Sequence, residues 1–185
     1  MKYVKAVIAY LLLLLSAPTY ADSDIPPLEA DEGYAVIAIY SKGYSENIVL
    51  EGSGLMNSHK FGPLNYEQHI EVMKLPAGTY TWSEIYERTG SVAQGNILKI
   101  YYDITDQDLS FTVQAGKLNY AGLLMIDKMG MTMRTRLLNR TSIILKILEQ
   151  DHSPYLEQYP LVNGIYPNDH YIGFYQSHAK KEGAE

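Results

Sequence analysis

Apolar and polar residues alternate in short segments between residues 33 and 138, and turn residues separate these segments. A period of two is typical of strands that bury one face, while Gly, Pro, Asn and Ser between segments favour turns. Because no helical segment separates consecutive strands, a parallel α/β layout is disfavoured. The pattern therefore predicts a mainly β fold, an antiparallel β-sandwich of about eight strands. The predicted strands are residues 34–40, 47–51, 69–75, 79–86, 97–102, 109–113, 118–126 and 131–137.

Strict alternation also predicts which side chains share a strand face, because successive residues of a strand point to opposite sides of the sheet. We expect the apolar set of each strand to face the core. The predicted inward sets are Tyr80, Trp82 and Tyr86; Leu109, Phe111 and Val113; Leu118, Tyr120, Leu124 and Ile126; and Met131, Met133 and Leu137.

The chain changes character after the predicted sandwich, and residues 139–178 read as a helical and aromatic C-terminal extension that packs on it. Residues 141–150 fit a helix better than a buried strand, since their polar positions fall on one side. Ser153 followed by proline is typical of a helix start and predicts a short helix over residues 154–159. Residues 179–185 are expected to form a disordered tail.

Residues 1–21 have the pattern of a cleavable signal peptide. Lys2 and Lys5 precede an apolar run over residues 7–15, and small residues lead up to Ala21. The run is shorter than the roughly 20 residues that a membrane-spanning helix needs. We therefore expect export to the periplasm with cleavage after Ala21. Residues 22–32, which are acidic and contain two prolines, would then form a flexible lead-in.

Charge and composition exclude some classes of partner. The chain has a formal net charge of −6, and loss of Lys2 and Lys5 leaves 13 basic against 21 acidic residues, a net charge of −8. An acidic protein lacks the basic face that binding to nucleic acid requires. The chain contains no cysteine, so we expect no disulfide and no lipid-modified N-terminal cysteine. No second apolar run predicts stable membrane insertion after signal cleavage.

Tyrosine is enriched, with 17 Tyr against 3 Phe and 1 Trp. An apolar ring with a polar tip suits strands and half-buried surfaces, so core and edge packing is the simpler explanation. The alternative is a surface on which sugars or a protein partner stack. In that case, we expect the binding surface on exposed tyrosines along a sheet face or edge.

Two segments carry the spacing of a known type of domain. Residues 76–80 read P-A-G-T-Y, and residues 111–122 read F-x-V-x-x-G-x-x-x-Y-x-G. This pair resembles small β-sandwich domains of bacterial envelope proteins of unknown function, and is similar to transthyretin-like or carboxypeptidase-regulatory-like sandwiches. The resemblance implies a sandwich over residues 33–138 and brings no catalytic residues. Many such relatives look like lipoproteins, and this chain differs because it lacks the lipid-modified cysteine.

No motif assigns a catalytic, cofactor-binding or metal-binding residue. The five histidines show no metal-ligand spacing, and no cysteine accompanies them. One alternative is a hydrolytic site formed by His152, His170 or His178 with Asp151 or Asp169, brought together by the fold. The other candidate is an acidic turn whose carboxylates could bind calcium, although the calcium-loop spacing is absent. Its residues are Asp103, Asp106 and Asp108.

The sequence thus favours an exported, non-enzymatic binding or scaffolding module of the cell envelope, with an envelope protein or a glycan as its partner and no cofactor. The first alternative is a hydrolase of envelope polymers that uses the histidines and aspartates near the C-terminus. The second alternative is a small outer-membrane β-barrel, since about eight alternating strands could close on themselves.

Overall fold

The computed structural model describes residues 25–54, 57–91, 96–130 and 132–182, so the predicted signal peptide lies outside it. These residues form a mainly β fold with three C-terminal helices. The strands are β1 (Glu32–Lys42), β2 (Tyr44–Ser45), β3 (Asn47–Gly52), β4 (Ser58–Phe61), β5 (Leu64–Asn65), β6 (Gln68–Pro76), β7 (Gly78–Ser91), β8 (Asn96–Asp103), β9 (Ser110–Val113), β10 (Leu118–Met129), β11 (Thr132–Leu138) and β12 (Leu161–Asn163). The helices are α1 (Thr141–Asp151), α2 (Ser153–Gln158) and α3 (His170–Glu182), and a 3-10 turn spans Thr105–Gln107.

Two separate sheets face each other. The central sheet has the strand order β11-β10-β1-β6, with β12 pairing to the start of β10. The outer sheet has the order β4-β3-β7-β8, with β9 pairing to the start of β7. Both sheets keep free edges in the part of the chain that is described, instead of closing on themselves. The predicted sandwich class is therefore confirmed, and the pairing is antiparallel except that β10 runs parallel to β1 and β12.

The molecule has three layers. The first core lies between the two sheets and includes Trp82, Phe111 and Leu124. The second core lies on the opposite face of the central sheet, where α1, α2 and α3 cover it. This arrangement explains why β1 is apolar at nearly every position. Its alternate side chains are buried on both faces: Ala35, Ile37 and Ile39 face the outer sheet, and Tyr34, Val36 and Ala38 face the helices.

A bulge in β10 corrects the predicted inward set of that strand. Val36 of β1 pairs with Tyr120, but Ala38 pairs with Leu123, so β10 carries one extra residue. Gly122 occupies this position with a φ of +81°, a conformation that glycine adopts without steric cost. The extra residue switches the phase of the side chains. Leu118 and Tyr120 therefore pack against the helices, while Leu124 and Ile126 point into the core between the sheets.

A second bulge, at Ser83 of β7, corrects the prediction for Tyr86. Leu50 of β3 pairs with Trp82, whereas Val49 pairs with Glu84, so Ser83 has no partner in β3. Tyr80 and Trp82 face the core as predicted, but beyond the bulge Ile85 takes the inward position. Tyr86 consequently lies on the opposite face of the outer sheet. The inward positions of Leu109, Phe111 and Val113 were predicted correctly, as were those of Met133 and Leu137; Met131 lies outside the described residues.

The C-terminal residues form the helical layer. The helix that the sequence favoured over residues 141–150 is confirmed as α1, and the short helix after Ser153 as α2. α3 was not predicted as a helix, and its last residues fall in the segment expected to be a disordered tail. In the lead-in, Ile25 and Leu28 pack against the second core. None of the described helices is long and apolar enough to cross a membrane.

Candidate docking surface at the edge of the outer sheet

Large apolar side chains are exposed in two regions of the molecule. The first is the sandwich, in which β8 carries three of them, and the second is the C-terminal part with the helices. We call the exposed face and free edge of β8, formed by Ile97, Leu98, Lys99 and Tyr101, the edge surface. The other exposed large apolar side chains are Tyr44, Tyr66, Met129, Ile143, Tyr166, Tyr171 and Phe174.

The edge surface is apolar on both sides of the sheet. Leu98 and Tyr102 lie on the inner face of the outer sheet. Tyr102 packs against the core between the sheets, whereas Leu98 is 56% exposed. Ile97 and Tyr101 are 42% and 58% exposed on the opposite side. Edge strands of this kind normally carry charges or prolines that prevent pairing with other chains. Lys99 is the one charged residue between Asn96 and Asp103.

The backbone of β8 offers unpaired groups to a further strand. Ile104 donates its N–H to the carbonyl of Ser83 at 2.9 Å, and β7 and β8 pair in one unbroken register. In an antiparallel pair, the residues whose N–H and C=O groups point to the partner alternate with those whose groups point away. The odd-numbered residues of β8 therefore direct their backbone groups away from β7. Within the described residues, no strand pairs with this edge.

The β7–β8 hairpin extends beyond the strand that flanks it. β3 pairs with β7 only as far as Tyr86, whereas β8 continues to pair with β7 as far as Ser91. The outer half of the hairpin thus lies past the end of β3. Its free edge is accessible along most of β8.

The outward face of the hairpin combines tyrosines with basic groups. The rings of Tyr86 and Tyr101 lie 4.9 Å apart between centroids. Arg88 pairs with Glu46 at 2.8 Å, and the hydrogen bond of Arg88 with Tyr86, together with Glu46, raises the pKa of the guanidinium. Lys99 lies opposite Arg88 and forms no ion pair with any described residue. An added strand would therefore meet an uncompensated positive charge here.

Several buried polar side-chain atoms in and beside the outer sheet have no hydrogen-bond partner in the structure. Glu87 is 1% exposed, and Lys128 of β10 reaches it at 2.6 Å across the two sheets. Glu87 Oε1 has no hydrogen-bond partner in the structure. Four other buried side-chain atoms among the described residues also lack a hydrogen-bond partner, and they lie on β2, on β7 or between β2 and β3. They are Ser45 Oγ, Glu46 Oε2, Trp82 Nε1 and Ser83 Oγ. Buried polar atoms are normally paired, so these atoms are exceptions to the usual pattern.

The tyrosines divide between core and surface, as the two explanations of their enrichment allowed. Tyr34, Tyr80 and Tyr120 are buried, and burial raises the pKa of Tyr34 and of Tyr120 to about 12. Tyr34 contacts the rings of Tyr155 and Tyr159 edge-on, which fixes α2 to the central sheet. Tyr44, Tyr66 and Tyr101 are instead exposed.

Asp169 lies in a hydrogen-bond network that contains no histidine. Its Oδ2 accepts hydrogen bonds from Asn139, Asn163 and Thr141, and its Oδ1 accepts one from the N–H of Tyr171 at the start of α3. Burial opposes ionisation of this carboxyl, but the four hydrogen bonds outweigh it and lower the pKa of Asp169. The network ties α1, α3 and β12 together, which gives Asp169 a structural role.

The histidines near the C-terminus do not converge on these carboxylates. His152 contacts the ring of Tyr155 at the end of α1, and His170 and Asp151 are exposed. The side chain of His178 lies outside the described residues. Within the described chain, the close contact between a histidine and a carboxylate is that of His69 with Glu71, at 2.9 Å on β6. The structure therefore does not assemble the predicted His–Asp arrangement from the side chains that it describes.

The acidic turn does not gather its carboxylates around one point. Asp103 accepts hydrogen bonds from the backbone N–H and the hydroxyl of Thr105, which lower its pKa. Asp106 and Asp108 are exposed. No group of three or more His, Cys, Asp or Glu side chains in the described residues is arranged to hold a metal ion.

A groove of about 500 Å³ lies in the helical layer between α1, α2 and α3. Leu156, Tyr159 and Leu161 line it together with Tyr175, whose hydroxyl donates to Glu149 at the rim. Burial, followed by the contact with Glu149, raises the pKa of Tyr175 to about 12. Among its lining residues, the hydroxyl in contact with a carboxylate is that of Tyr175, and its raised pKa disfavours the phenolate that nucleophilic attack would need.

Sequence reasoning predicted β8 as a strand but did not identify it as a free edge. The pattern did not mark it as an edge, because residues 97–102 are apolar at odd and even positions, with Lys99 as the exception. The same doubly apolar pattern occurs in β1, where it reflects burial on both faces.

In comparisons with protein-family models, curated proteins and solved structures, the chain gives no significant match.

Proposed function

We propose that this protein is a non-enzymatic binding or scaffolding module of the cell envelope that docks other polypeptides by adding a strand to β8. The observation that carries the proposal is the free edge of β8, with unpaired backbone groups on its odd-numbered residues and apolar side chains exposed on both faces. Strand addition uses these features: the backbone supplies affinity, and alternate side chains supply specificity.

The edge surface defines the chemistry of the added strand. Side chains on an added strand would lie beside Ile97 and Tyr101 on one face and beside Leu98 on the other, so the segment should be extended and rich in apolar residues. Lys99 has no ion-pair partner, and it would favour an acidic residue opposite it. A polypeptide supports this arrangement better than a glycan, because a glycan cannot continue the backbone ladder.

Export to the periplasm is part of the proposal. It rests on the signal-peptide pattern of residues 1–21, with cleavage expected after Ala21. Amino-terminal sequencing of the protein recovered from a periplasmic extract tests this point. We expect a chain that begins at Asp22, whereas a chain that retains Met1 would contradict it.

Selection of random peptides displayed on phage against the purified protein tests strand addition. We expect the selected peptides to share an alternating apolar pattern with an acidic residue. Lys99→Pro should abolish their binding, because proline removes an N–H that points away from β7 and places its ring on the free edge. Lys99→Ala is the matched control and keeps the backbone edge intact.

Hydrogen exchange supplies the second readout. Binding of a selected peptide should slow exchange at the amides of Ile97, Lys99 and Tyr101, which point to the free edge, more than at Leu98 and Ile100. Peptides without the alternating pattern, or with equal affinity for Lys99→Pro, would contradict strand addition. A glycan that binds at Tyr101 with equal affinity for Lys99→Pro would assign the surface to sugars instead.

A further inference from the structure

We infer that one partner of the edge surface is a second copy of this chain, paired antiparallel through β8 with Tyr101 opposite Tyr101. The inference rests on the proposed strand addition and names its partner. Its evidence is the order of residues in β8, which makes the strand complementary to itself in one register.

Symmetry restricts how two copies of β8 can pair. A two-fold axis perpendicular to the sheet relates antiparallel strands in a closed dimer and places the same residue on both sides of the axis. Residues at equal distances before and after the central residue then face each other. The outward backbone groups belong to Ile97, Lys99, Tyr101 and Asp103, so hydrogen-bonded pairs must form among these residues.

Charge favours one of the three centres in the middle of β8, which are Lys99, Ile100 and Tyr101. An axis at Lys99 would place two ammonium groups opposite each other, which destabilises a pair of strands. An axis at Ile100 would place Ile97 opposite the carboxylate of Asp103. An axis at Tyr101 places Lys99 opposite Asp103 twice, once in each half of the dimer.

Two apolar contacts accompany the charge pairs in the Tyr101 register. On the inner face, Ile100 of one copy lies opposite Tyr102 of the other, and on the outer face the two Tyr101 rings meet beside Tyr86. The pairs Tyr101–Tyr101, Lys99–Asp103 and Asp103–Lys99 would supply about two backbone hydrogen bonds each. The dimer would thus join two outer sheets into one.

A single cysteine introduced at the centre of this register tests it, because the chain contains no cysteine of its own. In Tyr101→Cys, the two Cα atoms would lie about 5.5 Å apart in a hydrogen-bonded pair, within the range of a disulfide. We expect mild oxidation to give a disulfide-linked dimer. The matched control is Ile97→Cys on the same face of β8, whose copies would lie more than about 20 Å apart in this register.

The expected result is that Tyr101→Cys cross-links at least about tenfold faster than Ile97→Cys, since a paired cysteine reacts within the complex. Adding Lys99→Pro to Tyr101→Cys should remove this advantage. In sedimentation experiments, the unmodified protein should show a dimer that Lys99→Pro disperses. Equal rates for the two cysteine variants, or a monomer at every concentration, would overturn the dimer.

The two proposals fail in different ways. If Tyr101→Cys remains monomeric while displayed peptides still bind in a manner sensitive to Lys99→Pro, strand addition stands and the second copy is excluded. If Lys99→Pro changes neither peptide binding nor the dimer, both proposals fail. A dimer that forms in Tyr101→Cys and in Lys99→Pro alike would place the contact elsewhere on the molecule and overturn the register.

Discussion

The central and outer sheets contain similar apolar strands but use them differently. In the central sheet, β1 is buried on both faces, by the outer sheet on one side and by the helices on the other. In the outer sheet, β8 has no covering layer over its outer half and no strand along its free edge in the described structure. The fold thus accounts for the apolar residues of β1 and for Tyr102 of β8, but it leaves Ile97, Leu98 and Tyr101 exposed. The proposed strand addition would cover this exposed apolar surface.

The same substitution in the two sheets tests this comparison most directly. Leu124 of β10 is 0% exposed, and Leu98 of β8 is 56% exposed. We expect Leu124→Ala to lower the free energy of unfolding by about 2–5 kcal/mol, because it opens a cavity between the sheets. Leu98→Ala should change it by less than about 0.5 kcal/mol. Denaturant unfolding measures both. A large loss in Leu98→Ala would mean that β8 packs against something in the isolated protein.

The contact between the two sheets gives the next largest effect. Lys128 of the central sheet bonds to Glu87 of the outer sheet at 2.6 Å, and Glu87 is buried. We expect Lys128→Met to cost about 3 kcal/mol, because it leaves a buried carboxylate without its partner. Adding Glu87→Leu to this variant should restore much of the stability, since the buried charge is then removed. A double variant as unstable as the single one would show that the pair stabilises by packing alone.

The bulge in the central sheet gives a smaller effect. Gly122 has a φ of +81°, and a Cβ there would lie 2.9 Å from Leu137 Cδ1. Gly116 has a φ of +67° with open space around it. We expect Gly116→Ala to cost about 1 kcal/mol for its backbone conformation alone, and Gly122→Ala about 2 kcal/mol, because it also crowds Leu137. Thermal unfolding of the two variants measures both losses, and their difference is the cost of crowding Leu137. Equal losses would show that Leu137 moves aside freely.

Alternation along the sequence predicted the strands and the sandwich because most strands bury one face. It failed where an extra residue changes the phase, as at Ser83, which lies inside an otherwise alternating segment and leaves Tyr86 on the outer face. At Gly122 a signal existed, since an isolated glycine in a strand pattern indicates a bulge.

Long-range pairing was beyond the reach of local patterns. The parallel pairing of β1 with β10 joins segments about 85 residues apart, and no local signal encodes it. For the same reason, the sequence did not reveal which strand would be left at the edge. β1 and β8 are both apolar at odd and even positions, and only the fold shows that one is central and the other free.

The smallest expected change in stability concerns the helical layer, which buries the second face of the central sheet. Asp169 holds this layer through hydrogen bonds from Asn139, Thr141 and Asn163, and they lower its pKa below the ordinary 3.8. A carboxyl whose pKa falls on folding stabilises the fold at pH values above its unfolded pKa, and this contribution is lost as the pH falls through the folded pKa. We expect Asp169→Asn to cost about 1 kcal/mol near pH 7, and this difference to shrink below about pH 4.

Denaturant unfolding at both pH values measures the cost of Asp169→Asn. The control is Asp151→Asn at an exposed position, for which we expect a change within about 0.5 kcal/mol. A difference between Asp169→Asn and the unmodified chain that persists unchanged in acid would show that the network stabilises through its shape and not through the charge. The helical layer would then cover the central sheet with a stability that does not depend on the ionisation of Asp169.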